Sequence, residues 1–373
     1  MLRAVIEQLR SRRPDVVIAA NAYYGDYTER ARFGLHQALW PKARRSLAGT
    51  LGYWVMRRYG GPFGIIPPDE FDAILDLSGY CYTDALNKRS SARMKHFLGM
   101  NGRDGCKVVF LPQAFGPFES DTSRTDVSEM LDSADLIFPR DETSMGHLTA
   151  AGVEASRMQV VPDMSMGLSA TGASMVDPST SYACVVPNAR ILSHGDGAAK
   201  DAYVSFLTRS AEWLDKAGMA PILCKFEKSM DDELAAEVSR RARCRLPQVV
   251  PGSADELRDL VGGAKAVVGS RYHALVSALS QGVPVLATSW AHKYHHLLAD
   301  YGMEEMMIQD FSDVPALESK LAELTRMASS EEALSGLAER AALCRARLGK
   351  MWDRVDAVIG LSRAAGTEGA AEK

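Results

Sequence analysis

A chain of 373 residues, 46% of them hydrophobic, can bury substantial cores, and ordinary domain sizes argue for two domains rather than one. Forty-three Lys and Arg against 47 Asp and Glu give a net charge of -4, which excludes polycationic binding of nucleic acid as a leading function. With no leader pattern, no bilayer-length apolar run and six cysteines without C-x-x-C spacing, the chain reads as neither secreted nor membrane-spanning, and its thiols as reduced and cytosolic.

Leu2–Arg12 has helical spacing, and Pro14-Asp15 introduces a strand-like apolar run, Val16–Ala20. Residues 1–60 carry eleven basic and four acidic side chains. Within them, Trp40, Lys42, Arg44, Arg45, Tyr53, Trp54, Arg57 and Arg58 predict helices joined near Pro41 and Gly49. An ordinary surface-plus-core role is the simpler reading of this stretch; a basic, aromatic patch against an anionic membrane is the alternative for residues 40–58.

After the Gly-Pro-rich connector 60–68, strands are predicted at Ala73–Leu77, Lys107–Leu111, Asp135–Phe138 and Met158–Val161. A helix from Glu142 to Ala151 has Asp141 as N-cap and Gly152 as terminator. Residues 165–181, rich in Ser, Gly, Ala and Thr, mark a join, with the first domain drawn at 1–168 and the linker at 169–181. Alternation then restarts: strand Ala183–Val186, helix Ala202–Ala217, strand Pro221–Lys225, and a capping box, Ser253-Ala254-Asp255-Glu256, opening a helix that ends at Gly262-Gly263. Strand Ala264–Val268, a helix Ala274–Gln281 and strand Val285–Thr288 follow. The second domain is drawn at 182–345, a C-terminal helix at 346–363 and a disordered tail at 364–373. Strands separated by helices argue for parallel sheets covered on both faces.

In open parallel sheets, ligands bind beyond the carboxyl ends of the strands, so polar residues there come first. Gly116-Pro117-Phe118 is most simply a turn whose Phe plugs a core, Asp141 a cap and Asp163 a turn former. Asp84 could equally cap a helix or hold a sugar hydroxyl. His292, His295 and His296 have no carboxylate or cysteine at ligand spacing, and no metal site is expected. The segment Gly269-Ser270-Arg271-Tyr272-His273 stands apart. It joins a buried strand to a helix start, where unpartnered amides and a partial positive charge suit an anion. Arg271 adds a planar cationic fork, and His273 brings an imidazole, whose ordinary value near neutrality suits an acid/base group beside that anion. Arg190 and Lys293 fall at the ends of neighbouring strands, and such a cationic cluster calls for an anion to neutralise it.

Taken in order, these segments resemble the polysaccharide pyruvyl transferase family. Val268-Gly269-Ser270-Arg271-Tyr272-His273-Ala274, continued through Gly282-Val283-Pro284-Val285 to Lys293, is similar to its C-terminal signature. Gln113-Ala114-Phe115-Gly116-Pro117-Phe118 is similar to its Gln-x-x-Gly-Pro-Phe turn and Arg140-Asp141-Glu142-Thr143-Ser144 to its Arg-Asp-Glu-x-Ser segment. Asp76-Leu77-Ser78-Gly79-Tyr80 with Asp84 stands where the family has a Gly-rich turn and an acid. The resemblance covers residues 1–330 and implies two Rossmann-like parallel-sheet domains facing across a cleft, a glycosyltransferase-B-like fold. It implies transfer of the enolpyruvyl unit of phosphoenolpyruvate to two hydroxyls of a sugar, giving a pyruvate ketal and phosphate, with phosphoenolpyruvate as co-substrate and no cofactor. Arg271, Arg190, Lys293 and Ser270 would bind the donor, His273 would move a proton, and Asp84 would orient or deprotonate the acceptor, a glycan precursor that could be lipid-linked. The chain opens on a helix where family members open with a strand and a Gly-rich turn, so the first strand of the N-terminal domain is expected to be missing. Two other readings compete: a nucleotide-sugar glycosyltransferase sharing the two-sheet architecture, and a non-catalytic glycan-binding descendant.

Overall fold

Strands and helices alternate along the chain in the computed structural model, which describes all residues except 23, 26, 40–46, 87, 88, 101–104, 174, 178, 195, 196, 226–229, 289–291 and 362–373. The tail expected at 364–373, and Trp40, Lys42, Arg44 and Arg45, lie outside the described residues. Two compact units emerge, one of Met1–Met164 with Arg347–Lys373 and one of Ser165–Ala346. The first therefore takes up the end of the C-terminal helix, and the boundary falls before the stretch read as linker.

The first unit runs α1 (Leu2–Arg12), β1 (Ala19–Ala20), α2 (Tyr27–Arg32), β2 (His36–Ala38), α3 (Leu47–Tyr59), β3 (Ile65–Ile66), β4 (Ala73–Asp76), α4 (Ser90–Met100), β5 (Lys107–Gln113), α5 (Asp121–Asp132), β6 (Leu136–Pro139) and α6 (Glu142–Ala150). Its strands form two separate parallel sheets, β1-β2-β3 and β4-β5-β6. Helix α1 buries Ala4, Val5, Ile6 and Leu9 on one face, as its spacing requires. The central strand β5 is buried along nearly all its length, and its core gathers Phe97, Phe110, Phe115, Phe118, Val127 and Met130. Tyr82 stacks on Phe115 with centroids 5.9 Å apart. Phe118 thus plugs the core as the turn Gly116-Pro117-Phe118 predicts, and Gly116 stands at φ +75, where a Cβ would also meet the His147 side chain at 2.6 Å. The apolar run Met158–Val161 lies along β6 without forming a full strand: Met158 bridges Ile137, and the Gln159 and Val161 amides donate to the Ile137 and Pro139 carbonyls at 3.2 and 3.0 Å.

The second unit runs β7 (Tyr182–Val186), α7 (Gly197–Lys216), β8 (Ala220–Cys224), α8 (Met230–Arg241), β9 (Gln248–Val249), α9 (Ala254–Gly262), β10 (Val267–Gly269), α10 (Tyr272–Leu279), β11 (Val285–Thr288), α11 (His292–Asp300), β12 (Met307–Ile308) and α12 (Val314–Ala328), before α13 (Glu331–Ile359). Its strands make one parallel sheet in the order β12-β11-β10-β7-β8-β9. From β7 the chain winds outward through β8 and β9, then returns to β10 on the other side of β7 and winds away through β11 and β12. The winding reverses between β7 and β10, and ligands of doubly wound sheets bind at the carboxyl ends of strands at such a reversal. Strands β7, β10 and β11 are wholly buried, which explains their unbroken apolar runs. Gly269 faces Val186 across the reversal, and a Cβ there would stand 2.7 Å from the Val186 carbonyl oxygen. Glycine is what lets the two strands approach so closely. Ser253 caps α9 by accepting from the Glu256 amide at 3.1 Å, as the capping box predicts.

Candidate active site

The strand-turn-helix that singled itself out in the sequence sits at the reversal between β7 and β10. Strand β10 ends at Gly269, Ser270 follows, and Arg271 is the N-cap of α10. Ser270 is buried and knits the turn together. Its hydroxyl meets the Tyr203 hydroxyl of α7 at 2.7 Å, and its carbonyl accepts from Asn188 Nδ2 at 3.1 Å and from the Tyr294 hydroxyl of α11 at 2.7 Å. Tyr203 also accepts from the Asn188 amide at 3.1 Å, and burial pushes its phenol up. The sequence reading of Ser270 as a donor contact does not carry forward, because at 1% exposure with its hydroxyl engaged it serves the turn itself.

Arg271 is held more firmly than its sequence context suggests. Its Nη2 donates to both carboxylate oxygens of Asp231, at 2.8 and 2.7 Å, and its Nε reaches the Pro187 carbonyl at 3.4 Å. Asp231, in the first turn of α8, has a wholly buried side chain and also accepts from the Ala189 amide at 3.0 Å. The charge-assisted pair fixes the plane of the guanidinium at the helix start, and it holds the Asn188–Ala189 loop beside β10. Arg190, exposed, follows on that loop, its amide bonded to Asn188 Oδ1 at 3.2 Å.

His273 is the second residue of α10 and is exposed, its ring edge-on to Tyr272 with centroids 5.6 Å apart. Lys293, from α11, places Nζ 5.3 Å from the Tyr272 ring and 5.5 Å from that of Tyr294, a cation–π pair of contacts. The start of α10 therefore gathers Arg271, His273 and Lys293, with Arg190 on the adjoining loop. Sequence reading missed Asp231, Tyr203 and Tyr294. Asp231 lies in an acidic run, Asp231-Asp232-Glu233, which by itself reads as ordinary helix-start chemistry.

A second polar cluster belongs to the first unit. At the end of β4, Asp76 accepts from Ser78 Oγ at 2.5 Å and from Gln113 Nε2 at 3.0 Å. Burial raises its carboxyl above the ordinary range, against the opposing hydrogen bonds of Ser78, Gln113 and Tyr82. The same burial, with the Asp76 charge second, pushes Cys81 up to about 11 and Tyr24 to about 12. Asp141 caps α6 through the Ser144 amide at 2.7 Å, while Asp163 pairs with Arg140 at 3.3 Å in a buried contact. Asp84 takes up the cap alternative: its Oδ2 accepts from the Glu119 amide at 2.8 Å, the Ser120 amide at 3.4 Å and Ser123 Oγ at 2.8 Å, around the start of α5. Its catalytic reading gains no support from that arrangement.

Fold and site define a protein of two Rossmann-like α/β domains with glycosyltransferase-B-like architecture. Solved structures with a similar fold include a Listeria monocytogenes protein assigned as a UDP-N-acetylglucosamine 2-epimerase, with a TM-score of 0.61 at 9% identity over 95% of this chain and 92% of that one. Anabaena Alr3699/HepE in complex with UDP and glucose is similar at a TM-score of 0.54, 12% identity and coverage of 96% and 95%. The Neisseria meningitidis UDP-GlcNAc 2-epimerase bound to UDP-GlcNAc is similar at 0.51, 13% identity and coverage of 94% and 96%. Identities this low speak for the fold alone. No curated protein sequence matches the chain. The profile of the polysaccharide pyruvyl transferase family matches residues 1–292, and the chain belongs to that family.

Proposed function

We propose that the protein transfers the enolpyruvyl unit of phosphoenolpyruvate to two hydroxyls of one sugar in a cell-envelope or exopolysaccharide precursor. Two C–O bonds form at the enol carbon, the bond from that carbon to the bridging oxygen breaks, and phosphate leaves. One hydroxyl proton ends on the methylene carbon, which becomes the ketal methyl, and the other leaves with phosphate. The observation that carries this reading is the cationic cluster at a helix start on the sheet reversal of a pyruvyl transferase family member. A donor with both a carboxylate and a phosphate suits such a cluster. Arg271, Arg190 and Lys293 bind those charges, and Asp231 is a positioning residue that sets the Arg271 plane. His273, open to solvent, is the group that delivers or takes the proton.

Incubation with phosphoenolpyruvate labelled with 18O at the bridging oxygen, and with a mixed lipid-linked glycan acceptor pool, tests the reaction. Label should leave in the phosphate while the glycan gains an acid-labile pyruvate ketal. Sugar transfer from a nucleotide donor, with phosphoenolpyruvate untouched, would establish the glycosyltransferase instead. His273→Gln should lower kcat/KM at least ~100-fold while leaving the melting temperature unchanged, because the side chain is exposed.

A separate feature supports a site of action at a membrane. Helix α3 exposes Leu51, Trp54, Met56 and Tyr59, with Arg57 and Arg58 stacked on Trp54 and Tyr59 at 5.4 and 5.3 Å. Among the described residues no helix is long and apolar enough to cross a membrane. Aromatic and basic side chains together suit an anionic interface, so the enzyme would meet a lipid-linked acceptor at the inner face of the membrane. Flotation with phosphatidylglycerol vesicles should carry the protein upward and fail for Trp54→Ser with Arg57→Glu; wild-type protein left at the bottom of the gradient would refute the membrane contact.

A further inference from the structure

Two cations at the start of α10 are held in opposite ways. Arg271 rests on Asp231, both of whose carboxylate oxygens accept from its Nη2, at 2.8 and 2.7 Å, and a carboxylate cancels the charge it binds. Lys293 rests on two phenol rings, with Nζ 5.3 Å from the centroid of Tyr272 and 5.5 Å from that of Tyr294. A ring face attracts a cation through its quadrupole and carries no net charge of its own. Support of this kind holds an ammonium in place and leaves its positive charge for a ligand to meet.

Both rings are themselves fixed. Tyr272 and Tyr294 are buried, at 9% and 6% exposure, and they meet edge to face with centroids 5.5 Å apart and planes at 89°, an arrangement that aromatic pairs favour. Tyr294 is tied at its far end as well. Its hydroxyl donates to the Ser270 carbonyl at 2.7 Å, which fastens the first turn of α11 to the turn between β10 and α10. Tyr272 opens α10, and the His273 ring stands at 81° to it with centroids 5.6 Å apart. A lysine on its four-carbon stem loses rotamer freedom when it takes up an anion. One already seated on two rings loses less, and binds more tightly for it.

We propose that Tyr272 and Tyr294 are positioning residues of the anion site, which together seat the Lys293 ammonium at the start of α10. Lys293 then supplies the charge that draws a phosphate group, while Arg271, balanced by Asp231, supplies direction. Tyr272 touches both Lys293 and His273, so one ring sets the attracting cation and the proton-moving imidazole together. This rests on the reading of the turn as the donor site, and it divides that site's cations into one that orients and one that attracts.

The test observes Lys293 itself. In protein labelled with 13C at lysine Cε, the Lys293 signal, identified by its loss in Lys293→Arg, should have its ε protons moved upfield by the ring currents. Tyr272→Phe should keep that shift, and Tyr272→Leu and Tyr294→Leu should each lose much of it. Calorimetric titration with inorganic phosphate should show binding weakened about tenfold in either Leu variant, the size of a desolvated cation–π contact. Adding Lys293→Met to either should then cost less than about twofold more, because the two changes remove one interaction. In turnover of phosphoenolpyruvate, Tyr294→Leu should act on KM more than on kcat, whereas Tyr272→Leu should impair both and move the pH profile, since His273 loses its neighbour. An unshifted Lys293 signal in the wild type overturns the proposal, as does a Lys293→Met loss of equal size in the wild-type and Leu backgrounds. Wild-type protein that binds no phosphate fails the donor reading and with it the attraction assigned to Lys293, while a shift still lost in Tyr272→Leu shows the seat to be real.

Discussion

At residue scale, the Arg271–Asp231 pair decides how the site must be probed. Arg271→Ala removes a guanidinium from a carboxylate whose side chain is wholly buried, and an uncompensated buried charge costs about 3–5 kcal/mol. Its turnover loss would then mix chemistry with unfolding. The double variant Arg271→Met with Asp231→Asn should recover most of the melting temperature lost by Arg271→Ala, measured by calorimetry, while remaining without phosphate release. Asp76 supplies a pH signature. Its folded carboxyl titrates above the ordinary value, so the folded state holds the proton more tightly than the unfolded one. The stabilising contribution is complete below the ordinary carboxylate value and is lost as pH rises through the raised one. Asp76→Asn should therefore melt higher than wild type at pH 8, with the gap closing towards about pH 4. Gln113 can accommodate the change, since its Oε1 is buried without a partner, and its amide, turned over, would accept from the side-chain NH2 that the substitution introduces. Arg271, His273 and Lys293 were legible in the sequence because a strand, a turn and a helix start follow one another directly. Asp231 and Tyr203 were not, as they come from 40 and 67 residues away in the chain, and only tertiary packing brings them to the turn.

At element scale, the close pass of β10 and β7 is the most sensitive joint. Gly269→Ala puts a methyl 2.7 Å from backbone rather than from a side chain that could swing aside, and overpacking of this kind costs about 1–3 kcal/mol. Denaturant unfolding should show that loss, and phosphate release should fall with it because the α10 start is displaced. Ser253→Ala, at the start of α9, should cost about 1 kcal/mol from its cap alone and leave turnover unchanged. Elements with long, regular patterns were readable: α1, α9 and β11 match their predicted spans or nearly so. The two- and three-residue strands β2, β3, β9 and β12 were not, because an alternation of period two needs more residues to show. Conversely, Met158–Val161 has a strand's composition and lies along the edge of β6, but beyond the Met158–Ile137 bridge it completes only the amide bonds of Gln159 and Val161 to β6 carbonyls, since composition does not reveal how much of a ladder an edge will complete.

For the whole molecule, two α/β units could be read from the recurrence of strands and helices, but their membership could not. The end of α13 joins the first unit, burying Leu348, Met351, Trp352 and Val355 and pairing Asp353 with Arg12 at 3.0 Å. Arg354 lies over the Phe138 ring at 5.9 Å. Nothing in a helical period says which surface a helix will cover. Four such side chains at about 2 kcal/mol each approach the about 5–15 kcal/mol that stabilises a domain. A chain ending at Ala346 should accordingly keep one calorimetric transition and lose the other, whereas a fragment Ser165–Ala346 should retain a cooperative transition of its own. The same membership sets an order of events during synthesis. The second unit is contiguous, so all its residues have been made before Arg347 is added. The first unit, although its strands are translated earliest, lacks its closing helix until the residues past Ala346 clear the ribosome, and it is the part that a chaperone would have to shelter meanwhile.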